Sequence, residues 1–286
     1  MPPTLNILGA GRVGQTLARL WQQVPSFALH GVACRSLESA QAACSFIGAG
    51  TPCTLAELPA AQVWMLAVPD REIAAVARQL ARQVATMPAS AAPPVVFHCA
   101  GASSSELLQP LADLGWRTAS AHCILSFAQP AQACAQFPGT VCALEGEASA
   151  CALLHSAFTA IGAQCFALRR EDKLLYHAAA VFATNFVPVL QSVAEDAWAA
   201  SGVPAALLPH LRATLLRNAV DNITALGPAR ALTGPAARGD TAHIARQSAA
   251  VHQWRPAAGK AYDALSALAL QLAHPSAPHP PPERTP

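Results

Sequence analysis

The chain is predicted to be α/β, with an N-terminal doubly wound, mostly parallel sheet followed by an all-helical domain. Three observations predict this. Short apolar runs alternate with helix-length segments as far as about Arg169, a glycine-rich turn stands between the first run and the first helix, and no convincing strand follows Arg170. With 286 residues there is room for two domains, and 53% hydrophobic against 12% charged residues supplies apolar material for two cores. Much of that apolar share is alanine, which favours helices.

The strands are expected at Leu5–Leu8, Leu29–Cys34, Val63–Val68, Val95–His98, Arg117–Ala121, Thr140–Leu144 and Gln164–Leu168. Helices are expected between them at Arg12–Gln23, Leu37–Cys44, Asp70–Val84, Ser104–Leu114 and Ser149–Ile161. Near-continuous apolar strands separated by helices are the pattern of a sheet covered on both faces. Beyond Arg170, Glu171 to about Ala200 reads as one long helix that Pro188 should kink. Ser201-Gly202-Val203-Pro204 stops it, and Ala205–Ala225 reads as a second helix. Leu226–Asp240, with three Gly and two Pro, is expected to be loop. Thr241–Ala273 is helical again with a break near Arg255-Pro256. The expected domains are therefore 1–169 and 170–273, with a disordered proline-rich tail over 274–286.

Composition excludes several functions. The formal net charge is +2 and no block of Lys or Arg stands out, so neither nucleic acid nor anionic lipid is expected as a partner. Leu5–Leu8 is too short for a signal peptide, and the apolar stretch Ala178–Leu190 reads as too short and too polar to span a bilayer. The nine cysteines are odd in number and form no C-x-x-C pair, so reduced thiols, no metal site and a cytoplasmic location are expected.

Gly9-Ala10-Gly11-Arg12-Val13-Gly14 lies between a strand and a helix, the context in which G-x-G-x-x-G binds a dinucleotide. Gly9 permits the tight turn, Gly11 lets the backbone approach a pyrophosphate, and Gly14 lets helix and strand pack closely. The first domain thus reads as a Rossmann nucleotide-binding domain. An NAD site carries Asp or Glu at the end of the second strand, whereas this chain reads Cys34-Arg35-Ser36. Arg35 and Ser36 suit a 2′-phosphate, so NADP is favoured over NAD; the plain alternatives are a solvated cation and a helix N-cap. Val68-Pro69 and Ala100-Gly101 end two further strands and should approach the nicotinamide. His98 is either a proton donor or bonded to its neighbours.

These segments, together with Lys173-Leu174-Leu175-Tyr176-His177-Ala178-Ala179-Ala180 and Leu232-Thr233-Gly234-Pro235 followed by Arg238-Gly239-Asp240, resemble the Rossmann-like proteins with a C-terminal domain of unknown function, family 2520. Those are similar in plan to ketopantoate reductase, pyrroline-carboxylate reductase and the 3-hydroxyisobutyrate dehydrogenases. The resemblance implies nicotinamide binding and a helical domain, like the C-terminal domain of 6-phosphogluconate dehydrogenases, that forms a homodimer; it names no substrate. One departure is His122-Cys123, where family members often read His-Pro, which frees the loop backbone; a buried, inert thiol is expected there.

Reduction of C=O or C=N leaves charge on the heteroatom, which a placed acid must neutralise. Lys173 is the expected acid, with His177 orienting it, since the two are four residues apart on one helical face. The bland alternative is a surface lysine beside Glu171 and Asp172. His122, Thr233 and Arg238 are expected to bind substrate, Arg238 through a carboxylate; Asn185 is placed less favourably on the helix. The alternative for the Thr233–Asp240 loop is a turn in which Asp240 caps the next helix and pairs with Arg238. The expected activity is NADP-dependent hydride transfer to or from a small, acidic carbonyl, hydroxy or imine compound. Hydride exchange with a deazaflavin-type carrier, or NADP(H) sensing without turnover, are the competing readings.

Overall fold

The computed structural model describes residues 1–86 and 92–275. It forms one eight-stranded sheet in the order β3-β2-β1-β4-β5-β6-β7-β8. The strands are β1 (Thr4–Leu8), β2 (Ala28–Ala33), β3 (Thr51–Cys53), β4 (Val63–Leu66), β5 (Val95–His98), β6 (Arg117–Cys123), β7 (Val141–Gly146) and β8 (Gln164–Ala167). All neighbours run parallel except β6 and β7. The strand order reverses between β1 and its two neighbours, β2 and β4, which opens a crevice at the carboxyl ends of β1 and β4.

The sequence-based elements are recovered with differences that have local causes. β3 was not expected: it has three residues, one of them Pro52, and it survives because it is an edge strand. β6 runs two residues further than expected and takes His122 and Cys123 out of a loop and into the sheet. Helices α1 (Arg12–Trp21), α2 (Leu37–Ile47), α3 (Ile73–Val84), α4 (Gln109–Ala112), α5 (Pro130–Gln136) and α6 (Ala148–Ala160) connect the strands. α5, not expected from the sequence, begins on a proline whose missing N–H is harmless at a helix start.

One core lies on each face of the sheet. On one face Trp21, fully buried, stands edge-on to Phe27, Phe97 and Phe158 at centroid distances of 5.0, 6.5 and 5.2 Å. Its Nε1–H donates to the Ala157 carbonyl at 3.0 Å, so its polar atom is satisfied without water. The other face packs Leu8, Trp64, Leu66 and Val96 against Ile73, Ala77 and Leu80 of α3.

The chain divides into two compact units, with the first ending at Ala183 and the second beginning at Thr184. This is later than the 169/170 boundary expected, because α7 (Lys173–Ala180) packs with the sheet through Lys173, which is 1% exposed. The segment Val181–Asn185 is π-helical, just before Pro188, where the ring removes a helix hydrogen bond. The second unit contains α8 (Phe186–Ala200), α9 (Leu208–Leu226), α10 (Pro228–Ala231), α11 (Gly234–Ala237), α12 (Thr241–Trp254) and α13 (Pro256–Ala273). Two short helices thus occupy the segment expected to be loop, and the break at Arg255-Pro256 is where the sequence placed it. Ion pairs Arg212–Glu195 at 2.8 Å and Arg255–Asp196 at 2.9 Å join these helices.

The continuous helical stretch Arg170–Ala200, with mean hydropathy 1.3 in its most apolar window, has the length and apolar character of a membrane-crossing helix. Most of the expected tail, residues 276–286, lies outside the described residues.

Trp21→Ala should cost about 3–5 kcal/mol by opening a cavity among three aromatic rings. Urea unfolding checks this, and a loss below about 1 kcal/mol would contradict the packing described.

Candidate active site

The glycine loop is built for close approach of a ligand. Gly9 has φ +83°, and a Cβ there would meet Val68 Cγ1 at 2.6 Å and the Ala67 carbonyl at 3.0 Å. A Cβ on Gly14 would meet the Gly9 carbonyl oxygen at 2.9 Å, so both glycines are required where α1 passes over β1 and β4. Gly11, by contrast, is exposed, with nothing within 4 Å of its missing Cβ. It is the N-cap of α1, and no side chain caps that end. The first N–H groups of α1 are therefore free to bind a phosphate. Ala10 N–H contacts Cys34 Sγ at 3.4 Å, which ties the loop to the end of β2. Arg12 is exposed beside the loop, and Val13 packs on the core.

At the end of β2, Arg35 is exposed and makes no hydrogen bond or ion pair among the described residues. Ser36 caps α2, its hydroxyl accepting from Ser39 N–H at 3.2 Å. The cap reading of Ser36 therefore holds, with the hydroxyl still exposed. Glu38 lies in the first turn of α2, where it suits the positive end of the helix, and no carboxylate stands at the strand tip.

His98 is buried at the end of β5. Ala100 N–H donates to its Nδ1 at 3.2 Å, so Nε2 carries the proton and donates to the Ser104 carbonyl at 2.9 Å. Burial lowers its pKa, and both nitrogens are used within the protein. His98 is thereby excluded as a proton donor.

The face of β6 and β7 that carries Ser120, His122 and Glu145 is polar, and α7 covers it. Glu145, 4% exposed, accepts from Ser105 N–H at 2.8 Å, from the Ser105 hydroxyl at 2.8 Å and from the Ser120 hydroxyl at 3.0 Å. Ser120 in turn accepts from Lys173 Nζ at 2.8 Å. Burial pushes the Glu145 carboxyl up, but these hydrogen bonds and Lys173 outweigh it and hold it below the usual range. Lys173 is pulled below its ordinary value, by burial first, with Glu145 opposing. Arg170 Nε lies 3.7 Å from Glu145 and its Nη1 2.6 Å from Glu106, which closes the network at the surface. Nothing in the sequence alone paired Glu145 with Lys173.

One turn along α7, two imidazoles meet Gly101, and a phenol stands on the far side of one of them. The phenol oxygen of Tyr176 lies 3.1 Å from His122 Nδ1, and the rings stand edge-on at 5.6 Å. His122 also stands edge-on to His177 at 5.8 Å. A Cβ on Gly101 would meet His177 Nδ1 at 2.5 Å and His122 Nε2 at 2.7 Å, so only glycine lets both imidazoles reach the end of β5. His177 Nδ1 is buried and has no hydrogen-bond partner among the described residues. Burial, then His177 and Lys173, lower the pKa of His122 to about 4. Burial raises that of Tyr176.

Lys173, His177 and His122 are thus brought together with Gly101, and Tyr176, absent from the sequence-based candidates, joins them. Its signal was present, one helical turn beyond Lys173, but a tyrosine in an apolar helix reads as packing. Asn185, Thr233 and Arg238 belong to the second unit and are exposed there. Asn185 accepts from the Thr184 hydroxyl at 2.8 Å. Asp240 caps α12 through His243 N–H at 3.0 Å, as the turn reading expects, while no ion pair to Arg238 forms among the described residues. Cys123 points into the apolar core on the sheet face opposite His122, and all nine cysteines are free. No cluster able to hold a metal ion occurs among the described residues.

With this geometry in hand, the comparisons are specific. Residues 3–122 match the Rossmann-like domain, and residues 140–269 match domain of unknown function 2520. The chain is a Rossmann-like protein carrying a DUF2520 domain. No curated protein matches it by sequence. Among solved structures it is similar to protein TM1727 from Thermotoga maritima, at 25% identity and TM-score 0.76, over 94% of this chain and 98% of the other. It is also similar to a proposed NADP oxidoreductase, BF3122, from Bacteroides fragilis, at 20% identity and TM-score 0.67, over 94% and 98%. A reductive aminase from Aspergillus terreus, solved with NADPH and ethyl-5-oxohexanoate, shares 17% identity and TM-score 0.60, over 96% and 91%. At these identities the last two likenesses speak for the fold.

Glu145→Gln should leave the buried Lys173 ammonium without its countercharge and cost about 3–5 kcal/mol near neutral pH. Because the Glu145 carboxyl is held below its unfolded value, its contribution is present above the unfolded carboxylate pKa and fades as pH falls through the folded one. The stability difference between wild type and variant should therefore shrink on acidification; a difference independent of pH would contradict the network.

Proposed function

We propose that the protein is an NADP-dependent oxidoreductase that transfers a hydride between the nicotinamide and a small carbonyl, hydroxy or imine compound. The observation that carries this reading is the glycine cradle at the strand-order switch point, where Gly9 and Gly14 admit no side chain and the α1 N-terminus is uncapped. Gly9, Ala10, Gly11, Arg12, Val13 and Gly14 would hold the pyrophosphate. Val68, Pro69, Ala100 and Gly101 would flank the nicotinamide. Arg35 and Ser36 would hold a 2′-phosphate, which favours NADP over NAD. When bound, the dinucleotide supplies the hydride; the chain supplies orientation, a dry pocket and a proton.

Several features support chemistry over passive sensing. A cluster of ionisable rings beside the proposed nicotinamide end, held by α7 and β6, suits proton transfer better than passive reading of NADP(H). His177 Nδ1, buried and unpartnered, suits a contact with cofactor or substrate. Arg238 and Thr233 are proposed to bind an acidic group on the substrate, with Asn185 as a lesser contributor. The fold neighbours include a protein whose name proposes an NADP oxidoreductase and a reductive aminase bound to NADPH, which agrees with this class of reaction.

We also propose a soluble, cytoplasmic homodimer. Glu195 and Asp196 are ion-paired and Lys173 is tied to the sheet, so the apolar helix that carries them is unsuited to lipid. Val189, Val220, Ile223 and Leu268 are exposed on α8, α9 and α13, a face that a second copy would cover. Sedimentation should give a dimer mass, and a monomer at micromolar concentration would overturn this part.

Nicotinamide fluorescence titration tests the main reading. NADPH should bind more tightly than NADH, and Arg35→Ala should weaken NADPH by about a hundredfold, roughly 2–3 kcal/mol for a lost charged contact. Binding of neither nucleotide would remove the oxidoreductase reading. Pyruvate and 1-pyrroline are the first probes for oxidation of bound NADPH.

A further inference from the structure

Resting on the oxidoreductase reading, we propose that Tyr176 is the proton donor, that His122 aims its hydroxyl, and that Lys173 is a positioning residue. Lys173 is 1% exposed and its ammonium donates to Ser120, which passes the interaction to Glu145. That commitment fixes the first turn of α7 on the sheet. Tyr176, one turn later, is held between two rings, His122 at 5.6 Å and Phe166 at 6.0 Å. Its hydroxyl has one neighbour for hydrogen bonding among the described residues, His122 Nδ1.

His122 stays neutral at physiological pH and so carries one N–H. With that proton on Nδ1, the imidazole donates to the phenol oxygen, and the phenol O–H is free for a ligand beside His122, whose Nε2 edge reaches Gly101. With it on Nε2, the phenol would donate to His122 and have nothing left for substrate. A neutral imidazole N–H is a weaker acid than a phenol. In this tautomer His122 Nε2 faces Gly101 without a proton to give, and His98 is used up by Ala100 and Ser104.

The step balances as follows. When the substrate carbon of C=O accepts a hydride, the π electron pair moves to oxygen. The Tyr176 O–H bond breaks, a new O–H bond forms on the product, and the phenolate left behind keeps the His122 Nδ1–H hydrogen bond. Solvent water returns the proton to Tyr176. Burial makes Tyr176 a weaker acid than a free tyrosine, but a phenol remains a stronger acid than the aliphatic alcohol being formed, so the transfer runs downhill.

Two measurements test this. NMR of histidine labelled on its ring nitrogens reads the tautomer directly, the His122 signals being those lost in His122→Gln. The Nδ1–H tautomer is expected, and the Nε2–H tautomer would overturn the assignment without any substrate being known. In Tyr176→Phe, NADPH affinity should stay within about twofold while turnover of whichever probe is reduced falls about a hundredfold or more. Turnover within threefold of wild type would overturn the proposal. Failure of the wild type to bind NADPH would instead remove the reading on which it rests, so the two failures are distinguishable.

Discussion

Much of the first unit's polar architecture depends on one buried interaction, the chain Lys173–Ser120–Glu145. An ammonium taken out of water costs several kcal/mol unless a countercharge and hydrogen bonds replace its solvation. Here the countercharge arrives through a serine hydroxyl, and the carboxylate has its remaining capacity filled by Ser105 and, at the surface, by Arg170. The consequence is positional. Once Lys173 is fixed over Ser120, helical geometry sends Tyr176 and His177, three and four residues on, to the same side of α7. They meet His122, two residues beyond Ser120 and on the same face of β6. A strand period of two and a helix period near four bring the three rings together, with the two imidazoles at Gly101.

Some of this was legible in the residues and some was not. The glycine loop announced itself because its requirements are local: a turn with positive φ at Gly9 and close packing at Gly14 are set within six residues of chain. The Arg255-Pro256 break was legible for the same reason, since proline ends a helix wherever it falls. Glu145 was invisible because Ser120 and Ser105 lie 25 and 40 residues from it along the chain, Lys173 lies 53 residues from Ser120, and no local pattern encodes a pairing across strands. β3 was missed because three residues with a central proline do not carry a strand signal without the neighbouring β2 to pair with. His122 lies just beyond the expected strand end at Ala121, and its antiparallel partner Ala143 is what extends the strand to it.

The two faces of β6 also explain why Cys123 is inert here while its neighbour is not. In Arg117-Thr118-Ala119-Ser120-Ala121-His122-Cys123 the small and apolar residues alternate with the polar ones. Ala119, Ala121 and Cys123 join the core under α1, α5 and α6, whereas Ser120 and His122 face α7. Cys123 lies opposite Cys142 in a pair that exchanges no hydrogen bonds, so its own N–H is not part of the ladder to β7. Its Ile124 neighbour instead donates to the Val141 carbonyl at 2.9 Å, and the β6–β7 ladder runs to its end. His122 is held by sheet geometry, opposite Ala143 of β7.

Charge and reactivity are separated along α7, and the separation has a physical rationale. A charged lysine placed directly against a hydride acceptor would stabilise developing negative charge, but a lysine already bound to Ser120 and neutralised by Glu145 has little left to offer. The rings one turn away carry no such debt. His122 is kept uncharged, by burial first, so it can orient a hydroxyl without competing for the substrate as an ion. Burial also keeps Tyr176 protonated well into alkaline conditions, the state in which it has a proton to give. The charged network sets geometry and the neutral rings are left free for chemistry, which is why the same helix can be anchored at its first turn and reactive at its second.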